Sequence, residues 1–413
     1  MEYGLIGEKL GHSYSPQIHN MLADYRYELC PVSPENLHSF MTAKDFCGIN
    51  VTIPYKKAVI PYCDHLSDEA KEIQAVNTIV KLPSGSLVGH NTDVYGFITM
   101  LKNAGISVRG KKAVILGSGG TSLTAQAALR RMNADKIIVI SRSGENNYQA
   151  LYEKHADAQV LVNTTPVGMY PNNGQSPVDI DKLPCLDSVA DVIYNPEKTA
   201  LILQAQQKGL KTASGLPMLV AQARKAAEFF TGTVIDENVD AAIIQEIKKQ
   251  TLNLVLIGMP GCGKTTIGNM LADATNRPLV DTDEEIIKLA GKSIPEIFAQ
   301  EGENHFRDLE TQVIEKVSAM QGAIITTGGG AILRKENRLS MGSNGRICLL
   351  LRPLDQLAKE GRPLSSGINA VENLWNSRKD LYMNTADYIV ENVNEPTITV
   401  RLALEGFYEA AGH

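Results

Sequence analysis

Tryptophan occurs once in 413 residues, and Phe, Trp and Tyr together make up 6%. No apolar run reaches the ~18–20 residues that a membrane span needs. The longest candidates, Leu254–Ile257 and Ile347–Leu351, are short enough to be buried strands. No long basic block occurs and the net charge is −6. A nucleic-acid partner or a polyanionic membrane surface is therefore not expected. The six cysteines, Cys30, Cys47, Cys63, Cys185, Cys262 and Cys348, contain no CxxC pair and no Cys/His cluster with zinc spacing. Free thiols in a reducing cytoplasm are expected. Met1–Gly7 has no basic stretch ahead of an apolar one, so no secretory leader is expected. Internal repeats and low-complexity tracts are also lacking.

What is present is ordinary globular material, 43% hydrophobic and 21% charged. The length suggests two or three domains. Short apolar strands and polar loops fill the chain to about residue 95. Strands alternate with helices from about Lys111 to about Gly232, and again from about Leu252. That alternation predicts an α/β protein with parallel sheets covered by helices. Ala242, Ile243 and Ile247 are spaced for a helix over Val239–Ile247, and the boundary between the large units is expected at Lys248–Thr251.

The sharpest motif is Gly258-Met-Pro-Gly261-Cys262-Gly263-Lys264-Thr265, which fits GxxxxGK[ST]. An apolar strand precedes it, and an amphipathic helix with Ile267, Met270, Leu271 and Ala274 on one stripe follows. In that context the glycines let backbone N–H groups face phosphates, with the helix N-terminus at Thr265 and Thr266 behind them. Lys264 reaches the terminal phosphates and Thr265 holds Mg²⁺. Cys262 fills a variable loop position. The bland alternative is a glycine-rich turn with an incidental lysine. Asp281-Thr-Asp283 follows a short strand over Pro278–Val280. Two carboxylates at i, i+2 on a strand end share a face, so one can support Mg²⁺ while the other takes a proton; alternatively they cap a helix over Glu284–Leu289. Arg307 and Glu310 lie at i, i+3 on a helix, and Gly328-Gly329-Gly330 follows an apolar strand, inviting close backbone approach to a ligand.

With GMPGCGKTT, VDTDEEI, FRDLE, TTGGGAI, GRPL and NSRKDLY in this order, residues 252–413 resemble the shikimate kinase family. The resemblance implies a P-loop NMP-kinase-like α/β domain using ATP and Mg²⁺. It makes Asp283 the base at the accepting hydroxyl and Asp281 a support for Mg²⁺ through water. Arg307 and Arg378 become a fork for the substrate carboxylate, Gly328–Gly330 the lining of the shikimate site, and Arg362 part of a lid over the phosphoryl group.

Upstream, Lys111–Leu116 reads as a strand running into Gly117-Ser118-Gly119-Gly120-Thr121, with a helix after it from Leu123 to Met132. This is a dinucleotide-binding βα unit with GxGG spacing. The next strand, Lys136–Ile140, ends in Ser141-Arg142-Ser143, where an NAD site usually carries an acid. A cation flanked by hydroxyls suits a 2′-phosphate, so NADP is favoured; the bland alternative is that Arg142 starts a solvated loop.

The first block carries polar clusters: Ser13 and Ser15, Thr52 and Lys56, Asn77, and Asp93. With GHSYSPQIHN, NVTIPYK, AVNT, GHNTD, ILGSGGT, VNTTPVGM, YNPEKT and GLPMLVAQA in order, residues 1–248 resemble the shikimate dehydrogenase family. The resemblance implies a substrate-binding domain over 1–95 plus about 225–248, and a Rossmann-like NADP domain over 96–224. It implies that Ser13 and Ser15 bind the substrate carboxylate, and that Thr52, Asn77, Asp93 and Gln222 bind its hydroxyls and ketone. Lys56 and Asp93 become the catalytic pair. Tyr194 and Gly215 help to enclose substrate and nicotinamide, and Asn163 to Thr165 run along the cofactor. Together the resemblances imply a cytoplasmic bifunctional enzyme that reduces 3-dehydroshikimate with NADPH and phosphorylates shikimate. The alternatives are a quinate-preferring dehydrogenase, a kinase for another small polyol, or a non-catalytic sensor of these metabolites. Oligomeric state is left open.

Overall fold

The computed structural model describes residues 1–11, 13–171, 173–357, 368–392 and 395–412. Its strands form three sheets. The first contains β1 (Tyr3–Gly7), β2 (Tyr27–Pro31), β3 (Gly48–Val51), β4 (His65–Leu66), β5 (Thr78–Lys81) and β6 (Leu87–His90), in the order β2-β1-β3-β5-β6-β4. β1 runs parallel to β2 and β3, whereas β5 is antiparallel to both β3 and β6. Asn50 stands opposite Thr78, and Thr78 opposite His90. This register gathers the end of β3, the start of β5 and the end of β6 at one edge. The motif residues Thr52, Asn77 and Asp93 flank those strand ends.

The second sheet is parallel: β7 (Lys112–Leu116), β8 (Lys136–Ile140), β9 (Val160–Asn163), β10 (Ser188–Asp191) and β11 (Lys211–Ala213), ordered β11-β10-β9-β7-β8. The third is also parallel: β12 (Asn253–Ile257), β13 (Leu279–Asp281), β14 (Ile324–Thr326), β15 (Gly345–Leu351) and β16 (Tyr388–Glu391), ordered β13-β14-β12-β15-β16. Beyond Lys112 and Asn253 at their starts, β7 and β12 are apolar and buried, as expected where helices cover both faces. Each has strands on both sides, so a crevice opens beyond its C-terminal end. Gly117 follows one and Gly258 the other.

The described chain divides into two compact units. One comprises Met1–Val167, Ser176–Tyr194 and Gln204–Ile244; the other comprises Gly168–Gln175, Asn195–Leu203 and Gln245–His413. The expected junction at Lys248–Thr251 is the last turn of a helix, Val239–Thr251, which passes directly into β12. Two stretches within 96–224 thus belong to the unit of the third sheet. Among the described residues no helix is long and apolar enough to cross a membrane.

Candidate active sites

In the first unit, helix Asp93–Asn103 starts three residues after β6 and packs on helix Leu216–Thr231. Gly96 makes the contact close, because a Cβ there would lie 2.5 Å from the Met218 carbonyl and 2.9 Å from Gln222 Cβ. Asp93 and Gln222 are thereby brought to one cavity of about 240 Å³, which Ser13, Ser15, Thr52, Lys56 and Asn77 also line. Tyr194, Gly215 and Thr121 complete its wall from the side of the second sheet.

Lys56 Nζ donates to Asp93 Oδ2 at 2.6 Å, across 37 residues of sequence. The Lys56 side chain is 32% exposed and that of Asp93 16%. A partly exposed pair contributes only about 0–1 kcal/mol to stability, so its chemical use is the more telling property. Asn77 Nδ2 donates to Asp93 Oδ1 at 2.9 Å and to Thr92 Oγ1 at 2.9 Å, and meets Gln222 Oε1 at 3.4 Å. The Asp93 amide donates to Asn91 Oδ1, and the Val76 amide to the Lys56 carbonyl at 2.7 Å. Backbone and side chains thus fix the carboxylate and leave the ammonium at the cavity. The Ser15 amide donates to Ser13 Oγ at 3.2 Å, drawing the two hydroxyl residues into one turn. Buried His19 stacks on Tyr27 at 3.9 Å, and burial pushes its pKa down to about 3. It is a neutral packing residue.

Gly117, at φ +101°, turns the chain after β7; a Cβ there would press on Thr164 Oγ1 and Thr165 Cγ2. At Gly119 and Gly120 an added Cβ would meet nothing within 4 Å. Ser118, Gly119 and Gly120 are exposed ahead of helix Gly120–Arg131. Glycine here leaves an uncovered helix N-terminus suited to a pyrophosphate. Arg142 is exposed beyond β8, next to Ser141, whose hydroxyl is bonded to the Ser143 carbonyl. These residues fit a phosphorylated dinucleotide. Asn163 is completely buried, with its amide on both Asp191 oxygens at 3.1 Å, and Thr164 Oγ1 donates to the Leu116 carbonyl. Their side chains support the turn.

In the second unit Gly258, Gly261 and Gly263 take φ values of +146°, +84° and +98°, where side chains are strained. Lys264 is buried and donates to the Gly258 and Met259 carbonyls at 2.8 and 3.0 Å. Cys262 is buried within the loop, whereas Thr265 and Thr266 are exposed. Asp281 and Asp283 are not two residues of one strand end, as their spacing suggested. Asp281 closes β13 and caps helix Thr282–Ala290, accepting from the Asp283 amide at 2.9 Å, so Asp283 lies in the first helical turn. Helix propensity after the cap overrides the extended spacing. The other Asp281 oxygen takes Thr265 Oγ1 at 3.2 Å and Thr326 Oγ1 at 2.8 Å. Capping and a place beside Thr265 therefore coexist. Among the described residues no group of three or more His, Cys, Asp or Glu could hold a metal alone. Thr265 Oγ1 beside Asp281 Oδ2 offers oxygen donors of the kind Mg²⁺ takes together with phosphates and water.

The triple glycine collects the remaining residues. A Cβ at Gly328 would lie 2.7 Å from Asp283 Oδ1, and one at Gly330 would collide with the Arg307 guanidinium. The Gly329 carbonyl accepts from Arg378 Nη1 at 3.0 Å and Tyr382 Oη at 2.5 Å. Arg307 donates to Glu310 at 2.8 Å and Glu303 at 3.1 Å. Burial works against its charge, but Glu310 and Glu303 hold its pKa above the usual arginine value. Burial pushes the Glu310 carboxyl upward, opposed by Arg307. Arg362 lies outside the described residues.

Several participants had no assigned role in the sequence reading. Asn50 lines the first cavity and accepts from Tyr27 Oη at 2.7 Å; its position at the head of NVTIPYK was the available signal. Tyr382 is one helical turn beyond Arg378, a usable i, i+4 clue. Asn392, whose Nδ2 donates to the Cys262 carbonyl at 2.7 Å, gave no local sign.

A family model described as shikimate dehydrogenase substrate binding domain matches residues 5–79, and one described as shikimate kinase matches 260–405. The chain is 40% identical over 254 residues to a shikimate dehydrogenase (NADP(+)) of Clostridium beijerinckii, spanning 57% of this chain and 93% of that protein. Among solved structures, shikimate dehydrogenase 1 of Peptoclostridium difficile is 39% identical with a TM-score of 0.54, covering 60% of this chain and 97% of that one. The Thermus thermophilus shikimate 5-dehydrogenase, in complex with NADP(H) and shikimate, is 30% identical with a TM-score of 0.53, covering 59% and 98%.

Proposed function

Because the chain belongs to the shikimate dehydrogenase family over its N-terminal part and carries a shikimate kinase domain behind it, we propose that it catalyses two consecutive reactions. The first reduces 3-dehydroshikimate to shikimate with NADPH, and the second phosphorylates shikimate at its 3-hydroxyl with ATP. We assign substrate binding to residues 1–95 with about 225–248, NADP binding to 96–224, and the kinase to 252–413. The Lys56–Asp93 pair, 2.6 Å long at the wall of a polar cavity, carries the reading.

Ser13 and Ser15 receive the carboxylate, while Thr52, Asn77 and Gln222 hold hydroxyls. NADPH supplies a hydride when bound. The Lys56–Asp93 pair then supplies the proton at the ketone oxygen, with Asn77 keeping the carboxylate oriented. Gly117–Thr121 and Arg142 hold the dinucleotide, with Arg142 reading a 2′-phosphate. In the kinase, Arg307 and Arg378 fork the carboxylate, Asp283 takes the hydroxyl proton, and Lys264 neutralises charge on the transferring phosphoryl group. Thr265 and Asp281, 3.2 Å apart, would hold Mg²⁺, directly and through water respectively, and the ion would supply positive charge to the phosphates. Arg362 is assigned to the lid.

The test supplies 3-dehydroshikimate, NADPH, ATP and Mg²⁺ together and reads shikimate and shikimate 3-phosphate by mass. Lys56→Ala should lower ketone reduction by about 10²–10⁴-fold while shikimate added directly is still phosphorylated. Asp283→Asn should do the converse and still bind ATP. Faster turnover on quinate than on shikimate would overturn the substrate assignment.

A further inference from the structure

Gly328, Gly329 and Gly330 are assigned above to the shikimate site of the kinase, and their carbonyls are satisfied in different ways. The Gly328 carbonyl accepts from the Ala331 amide at 3.1 Å and the Gly330 carbonyl from the Leu333 amide at 3.0 Å, both within the turn itself. The Gly329 carbonyl is instead taken by helix Ile368–Thr385, accepting from Arg378 Nη1 at 3.0 Å and from Tyr382 Oη at 2.5 Å. Arg378 and Tyr382 are one turn apart on the same face of that helix. Where a side chain would begin, Gly329 is wedged against the P-loop, since an added Cβ would lie 2.6 Å from Pro260 Cδ. Tyr382 is 1% exposed, and its ring stacks on Trp375, the one tryptophan of the chain, with centroids 6.2 Å apart. Burial pushes the phenol upward, so the hydroxyl is protonated at neutral pH and donates.

A carbonyl oxygen has two lone pairs and can serve two donors at once. The two donors here differ in what else is asked of them. Arg378 is assigned to the substrate carboxylate, and a bidentate grip takes two N–H groups of its fork. Turning Nη1 to the carboxylate costs Gly329 its charged donor, and an unpaired carbonyl beside the buried Tyr382 ring is unfavourable. A tyrosine hydroxyl has one proton to give, and here it goes to Gly329. The phenol therefore keeps the carbonyl paired whichever way the guanidinium turns. Holding Gly329 also holds its neighbours, against which the Asp283 carboxylate and the Arg307 guanidinium are packed.

We propose that Tyr382 is a positioning residue of the kinase site, whose hydroxyl holds the Gly329 carbonyl so that the triple-glycine turn keeps its place when Arg378 commits its fork to the substrate carboxylate. Nothing in the reaction assigned above uses Tyr382, but the proposal rests on the assignment of Arg378 and the triple glycine to shikimate.

The experiment uses the full chain with Tyr382→Phe, Arg378→Lys and the double variant. Shikimate and ATP binding are followed by Trp375 fluorescence, phosphorylation by initial rates, and folding by thermal melting. Tyr382→Phe removes one oxygen and keeps the ring, so melting should fall by no more than about 4 °C. Its KM and Kd for shikimate should rise about tenfold, while the ATP constants stay within about twofold and kcat within about threefold. The double variant should bind shikimate no more than about twofold worse than Arg378→Lys, because the hydroxyl acts by freeing Arg378 and the two effects overlap. The proposal fails if a folded Tyr382→Phe protein has wild-type shikimate constants. It fails equally if ATP and shikimate constants worsen alike, as loss of packing alone would make them, or if the two losses multiply in the double variant. A wild-type chain that does not phosphorylate shikimate, with amide exchange over residues 327–331 rising in Tyr382→Phe, would overturn the site assignment and support the anchoring of the turn.

Discussion

The two glycine loops look alike in sequence, yet their glycines answer different demands. After β7, Gly119 and Gly120 leave open space where an added Cβ would go. After β12, a Cβ at Gly258 would lie 2.5 Å from the Leu350 carbonyl, and one at Gly263 would collide with Asn392 Nδ2. Both of the latter also have positive φ. Past Gly117, whose positive φ turns the chain, the first loop needs small residues so that a ligand can come near. The second needs them so that the loop can exist, because strand, loop and Asn392 are packed into contact. A shared motif therefore does not predict a shared response to mutation.

That contrast can be broken by substitution. Gly258→Ala should have the largest effect. It combines a backbone clash with a left-handed conformation and should cost about 2–4 kcal/mol of stability in its unit. Phosphorylation should fall at least a hundredfold, read by thermal melting and kinase assay. Unchanged melting would show that the loop accommodates the methyl group, and the contrast would collapse. Gly119→Ala should leave melting within about 1 °C, because a surface change away from packed contacts is nearly neutral. Its NADPH KM should rise about tenfold, equivalent to ~1.4 kcal/mol; an unchanged KM would mean that no ligand approaches there. Arg142→Gln should have the smallest effect, lowering the preference for NADPH over NADH by about fivefold, roughly 1 kcal/mol, through loss of a charge-assisted contact. If NADH and NADPH respond equally, Arg142 does not read the 2′-phosphate.

Much of the architecture was legible because it is local. The strand Lys136–Ile140 matches its expected limits, and the βα units around Gly117 and Gly258 show in six to ten residues of apolar run and glycine. Limits slipped by a residue or two elsewhere: the strand expected over Pro278–Val280 runs over Leu279–Asp281, and the helix expected from Glu284 begins at Thr282. There the capping interaction of Asp281, which needs its side chain to fold back on the Asp283 amide, moved the boundary.

The residues by themselves determined which chemical groups were available: a lysine and an acid for proton transfer, two glycine loops for phosphates, and two arginines for a carboxylate. Tertiary structure decided which of them meet. Lys56 reaches Asp93 only because β3 and β6 both flank β5, and Gln222 joins them only because Gly96 lets two helices approach. Asn392 behind Cys262 was invisible for the same reason. Hydrophobic periodicity reports which face of an element is buried, whereas the partner across a sheet or a helix crossing is set by long-range packing, which leaves no spacing in the chain.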